Sequence, residues 1–99
     1  MMPFAADRTH VDLSETRTIK ASGGLHVYGI IVTNITGSTD SVTFEDASGN
    51  DIMIVRLATN TTQVINIPWL ADNGLVVFAG TPAAGMTVTI FHNNIQGGA

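Results

Sequence analysis

Turn-forming residues punctuate this sequence at intervals of roughly eight to twelve residues, and no window between them carries apolar residues at helical spacing with caps. That cadence limits every element to a short strand and predicts an antiparallel sandwich or small barrel. The central element is Leu25–Asn34, a mostly apolar stretch rich in β-branched and aromatic residues. Ser22-Gly23-Gly24 precedes it, and Thr36-Gly37-Ser38-Thr39-Asp40 follows it. Gly29, inside the stretch, points to a bulge or a close backbone approach.

Other strands follow from the same reasoning. Residues 16–21 are β-prone with one polar face, which predicts an edge strand guarded by charge. Residues 40–46 alternate, with Val42 and Phe44 on one face and Ser41, Thr43 and Glu45 on the other. Ala47-Ser48-Gly49-Asn50 turns this strand into residues 51–58, which makes a hairpin. Residues 63–67, 75–79 and 86–93 complete the count, with Val88 and Ile90 sharing a face in the last. His26 and His92 are expected on polar faces. Residues 68–74 are expected to cross over, with Trp69 plugging one end of the core, and 80–85 to form an irregular loop. Residues 1–15 lack clean periodicity and are read as an extended arm, although Thr9-His10-Val11-Asp12-Leu13 alternates weakly, which leaves a short edge strand there as the alternative. The expected fold is all-β: a single antiparallel β-sandwich, jelly-roll or immunoglobulin-like, of about seven to eight short strands. The domain spans 16–93, with the arm before it and a polar tail at 94–99.

Composition bears on what such a domain does. Of 99 residues only 12% are charged, about half the roughly 25% usual for soluble domains. Mean hydropathy is +0.28, and no apolar run approaches the roughly 20 residues of a membrane-spanning helix. A free monomer keeps itself soluble with charge, so a surface of Thr, Asn, Ser, Gly and Ala points to coverage by partner chains. The net charge of −4 and the lack of a basic patch argue against nucleic acid. There is no cysteine, hence no disulfide framework or thiolate metal site. The first residues lack the basic and apolar regions of a signal peptide, so synthesis in the cytoplasm is expected.

No constellation for catalysis stands out. His10, His26 and His92 share no ligand spacing with each other or with carboxylates, so no metal or cofactor is expected. Glu45 to Asp51 concentrates oxygen ligands without the register of a calcium loop, and its residues suit a hairpin turn. There is no Gly-x-Ser-x-Gly, and Gly23-Gly24 and Gly97-Gly98 lack the strand-to-helix context of a phosphate loop. Asn34-Ile35-Thr36 and Asn60-Thr61-Thr62 match the glycosylation triplet and are read as chance matches. The chain is not expected to be an enzyme.

Three segments, Gly23 to Asn34, Val42 to Ile52 and Ile65 to Val77, together resemble small β-sandwich structural proteins of tailed bacteriophages, in particular capsid decoration (cement) proteins of cyanophage and marine phage type. The resemblance covers about residues 16–93 and is one of strands and turns, without catalytic residues. It implies a homotrimer on the outer surface of the phage head. There it would bind the major capsid protein and bridge neighbouring subunits to stabilise the shell. No nucleic acid or membrane partner is implied. In that setting the expected contact residues lie in the arm: Phe4, Asp7, Arg8, His10 and Asp12. The alternatives are a tail, fibre or head-fibre attachment module of the virion, or a carbohydrate- or peptide-binding sandwich.

Overall fold

The computed structural model describes residues 7–94. It has nine strands, β1 (Asp7–Leu13), β2 (Arg17–Lys20), β3 (Leu25–Asn34), β4 (Asp40–Glu45), β5 (Asp51–Leu57), β6 (Thr61–Ile65), β7 (Trp69–Ala71), β8 (Leu75–Ala79) and β9 (Ala83–Asn94), and no helix among the described residues. One sheet has the order β1-β9-β3-β6, with β7 also paired to β3, and the other has the order β2-β8-β4-β5. Every pairing is antiparallel. The pairs β4:β5, β3:β6, β2:β8 and β1:β9 are nested, so the chain is one long antiparallel ribbon rolled up on itself. This is the jelly-roll arrangement rather than the immunoglobulin one.

β6 and β7 are two halves of one sheet edge. β6 pairs with Ile30 to Asn34 and β7 with Leu25 to Val27, along the same side of β3. Asn66-Ile67-Pro68 breaks the edge between them, where Pro68 has no N–H to offer a ladder. Counted as one interrupted strand, they make the total eight, the upper end of the expected number.

Alternation along each strand builds the core. Val27, Ile30 and Val32 of β3, Val42 and Phe44 of β4, Leu75 and Val77 of β8, and Met86, Val88 and Ile90 of β9 are all buried between the sheets. The bulge foreseen at Gly29 is present: the β3–β9 register shifts between Val27 and Gly29, leaving Tyr28 as the extra residue. A Cβ on Gly29 would sit 3.3 Å from the Ile65 carbonyl oxygen, so the close approach is also real.

Three expectations need correction. Over Asp7–Leu13 the segment read as an extended arm is an edge strand, the alternative that the alternation of Thr9 to Leu13 leaves, paired along its length with β9. The apolar anchors are Val11, packed against the core, and fully buried Leu13. His92 is not on a polar face but only 7% exposed. It continues the Met86, Val88, Ile90 phase inward, and Thr9 Oγ1 meets its Nε2 at 2.8 Å. Residues 83–85, read as loop, open β9, where Gly85 takes a positive φ and the β1 register shifts between Asp12 and Leu13. Trp69 is a strand residue opposite Val27, partly buried against the core.

Candidate docking face

The four contact candidates within the described residues all lie on β1, and Phe4 lies outside them. Asp7 is exposed and pairs with His92. Arg8, His10 and Asp12 form the outward row of this edge strand, the first two beside Phe91 and Thr89 of β9. His10 Nδ1 and Thr89 Oγ1 are 2.6 Å apart. Arg8, His10, Ile31, Thr89 and Phe91 line a shallow hollow. Asp12 serves the turn that follows. Its carboxylate accepts from the Ser14 backbone N–H at 3.0 Å, from the Ser14 hydroxyl at 2.5 Å and from Arg17 at 3.2 Å. These bonds, those of Ser14 foremost, hold its pKa at about 2. The structure therefore brings Arg8 and His10 together and assigns Asp12 to local structure.

The carboxylate-rich hairpin between β4 and β5 is also a turn. Asp46 Oδ1 accepts the N–H groups of Ser48 and Asn50, and Oδ2 accepts from the Asn50 amide. The hydrogen bonds from Asn50 hold the Asp46 carboxyl below the usual range, whereas burial and then the nearby Asp51 push Glu45 up. Among the described residues no three His, Asp or Glu side chains are placed to hold a metal ion. No helix there is long and apolar enough to cross a membrane.

A different face stands out, and the sequence reading missed it. β5 is the last strand of one sheet, and β6 with β7 is the edge of the other. Both edges lie on the same side of the sandwich, joined by the corner 58–60. Ile52 and Ile54 on β5, Val64 on β6, Ile67 in the break and Leu70 on β7 are all exposed, Ile54 at 59% and Ile67 at 66%. Between the two edges opens a cleft of about 340 Å³ lined by Ile52, Met53, Ile65, Ile67, Trp69 and Leu70. Trp69 Nε1 is buried there without a hydrogen-bond partner among the described residues, although a buried indole N–H normally finds one.

The contrast with the opposite side is one of charge. Edge strand β1 carries Asp7, Arg8 and Asp12, and edge strand β2 carries Arg17 and Lys20. Such charges discourage further strand pairing. On the other side, no charged residue occurs between Arg56 and Asp72, and β5 offers the uncharged run Ile52-Met53-Ile54-Val55 along its free edge. Two signals were present in the sequence: an uncharged stretch spanning 57–71, and a strand whose outward positions are isoleucine where polar residues are the rule.

The corner behind this face is pinned by Asn34, which is fully buried. Its amide nitrogen donates to the carbonyls of Ser38 at 3.0 Å and Leu57 at 3.1 Å. Its oxygen accepts from the Thr36 N–H at 2.9 Å and the Thr36 hydroxyl at 2.6 Å. Asn34-Ile35-Thr36, set aside as a chance triplet, is thus a structural Asx turn that ties the end of β3 to the end of β5.

No family model and no curated protein matches this chain. A solved chain described under "Bacillus endospore appendages form a novel family of disulfide-linked pili" is similar to it in fold, with a TM-score of 0.57 and 14% sequence identity over 93% of this chain and 88% of that one.

Proposed function

We propose that this chain is a non-catalytic structural subunit that works by assembling with other protein chains through the β5–β7 side. The observation that carries this reading is the asymmetry of the sandwich edges: β1 and β2 carry five charges, whereas β5 through β7 carry only Asp51 and Arg56 and expose Ile52, Ile54, Val64, Ile67 and Leu70. Exposed apolar patches beside free strand edges are what protein partners cover. Strand addition at such an edge supplies main-chain hydrogen bonds as well as apolar contact.

Within that class we favour a capsid decoration protein on the outer surface of a phage head, binding the major capsid protein. The support is the resemblance carried by Gly23 to Asn34, Val42 to Ile52 and Ile65 to Val77, together with the sparsely charged surface. Copy number in purified particles tests it. A ratio to the major capsid protein near one is expected; a few copies would indicate a tail or fibre module, and absence from particles would overturn the virion reading.

A second reading, a subunit of an extracellular filament, draws on the fold shared with the endospore appendage chain. Disulfide linkage is not available to these 99 residues, which include no cysteine.

A further inference from the structure

The β5–β7 side sets two requirements for whatever covers it. β5 has one edge without a strand partner among the described residues, so the occupant presents an extended backbone. The cleft is lined by apolar side chains, so the occupant is apolar and uncharged there.

The chain itself contains a segment of that chemistry. Met1-Met2-Pro3-Phe4-Ala5-Ala6 has six residues and no charged or hydrogen-bonding side chain. It leads directly into Asp7, the first residue of β1. Its single proline is compatible with an edge position. Residues 95–99, Ile-Gln-Gly-Gly-Ala, offer one large apolar side chain and fit less well.

Reach decides which molecule's segment is involved. Asp7, His92, Val27 and Trp69 occupy one row across the sheet. Asp7 and Trp69 are therefore three strand spacings apart, about 14 Å. Six fully extended residues span at most roughly 20 Å. A segment crossing its own sheet end would spend about four residues on the crossing, leaving too few to run along β5. A segment from a neighbouring molecule has no such constraint.

We propose that residues 1–6 of one copy lie along β5 of a second copy, with Phe4 seated in the cleft beside Ile52, Ile67, Trp69 and Leu70. This rests on the assembly reading above and names the occupant. Donor and acceptor are different surfaces, so the contact is head-to-tail. Such a contact closes into a ring, a trimer included, or propagates as a filament.

The test uses full-length chains and light scattering after size exclusion. Phe4→Asp spoils the donor, and Ile67→Glu spoils the acceptor at a side chain that is largely exposed and outside the core. Ile52→Lys serves as a second acceptor variant, and far-ultraviolet circular dichroism confirms the sheet in each. The wild-type chain is expected to run as a multiple of 10.4 kDa, and each variant as a monomer. Mixing Phe4→Asp with either acceptor variant is expected to yield a heterodimer, because one sound donor and one sound cleft remain, with a blue shift in Trp69 emission. A mixture that stays monomeric overturns the proposal. Assembly retained by Phe4→Asp but lost by both acceptor variants also overturns it, while leaving this side as the interface. Assembly retained by all variants, or a wild-type chain that remains a monomer, overturns the proposal and removes self-association through this side.

Discussion

Replacing Asn34 by alanine tests whether the corner behind the docking face is held by a single buried amide. The side chain makes four hydrogen bonds, two as donor and two as acceptor. They do not weigh equally. The Leu57 carbonyl is the buried partner, and leaving such a group unmet costs about 1–3 kcal/mol. Thr36 and Ser38 lie nearer solvent, and their groups rehydrate, so their three bonds together contribute about 1 kcal/mol at the low end of the usual range. The expected loss is therefore about 2–4 kcal/mol, a large part of the roughly 5–15 kcal/mol that holds a domain of this size together. At roughly 4–8 °C per kcal/mol for a domain this small, the melting temperature falls by about 8–32 °C. Urea unfolding followed by Trp69 fluorescence measures it. The Ile67→Glu background keeps association from adding to the apparent stability. Asn34→Asp is expected to be at least as damaging at neutral pH, because it turns a carboxylate toward two carbonyl oxygens. Asn73→Ala, which removes exposed bonds to Ser48 and to the Asp46 carboxylate, is the control and should change stability by under about 0.5 kcal/mol. A loss below about 1 kcal/mol for Asn34→Ala would refute the reasoning, since the corner would then be held by the strands alone.

Gly74→Ala is expected to destabilise by about 2 kcal/mol or more by chemical denaturation, because φ is +74° there and an added Cβ would lie 2.8 Å from the Lys20 carbonyl oxygen. Phe44→Ala, at a fully buried ring, should cost about 3–5 kcal/mol in the same assay. His92 has its pKa lowered, first by burial, with Lys20 adding to the shift and Asp7 opposing it. The unfolded chain therefore binds the extra proton more readily. The His92 contribution is intact above its unfolded value of about 6.5 and is lost as pH falls from there toward the folded value. His92→Gln should flatten the stability slope in that window, as read from urea midpoints at successive pH values; an unchanged slope would assign it to other groups.

Which parts of this were legible in the sequence follows from the kind of signal each carried. Val42-Thr43-Phe44 and Val88-Thr89-Ile90 alternate cleanly, and period-two alternation with turn residues between strands specifies a sandwich. The choice of jelly-roll over immunoglobulin order was not legible, because it depends on which distant strands pair, and β1 with β9 or β2 with β8 leave no local mark. β1 was misread for a related reason: an edge strand buries little, and here Val11 and Leu13 alone anchor it among charged neighbours. His92 was misplaced by residue type, although its phase with Met86, Val88 and Ile90 pointed inward. The docking face was missed because Ile52 and Ile54 look like core residues until the partner strands are known. β4 covers one edge of β5, and no strand among the described residues covers the other.

The placement of charge turns that last point into an argument about assembly. A sandwich has four edge strands, and a monomer guards all of them. This chain concentrates charge on β1 and β2 and leaves β5, β6 and β7 with Asp51 and Arg56 at the two ends of a single strand. If the low overall charge were only compositional drift, the remaining charges would be spread over all the edges. Instead one side is blunted and the other is open. The apolar segment 1–6 enters the fold from β1, on the blunted side. In the proposed assembly the donor is attached to β1 and the acceptor edge is β5, on the opposite side of the sandwich, so a copy that accepts a strand would still have its own segment to offer to the next. Charge on β1 and β2 disfavours pairing at those edges, so the same distribution of charge that would permit the proposed head-to-tail contact would also work against indiscriminate edge-to-edge aggregation.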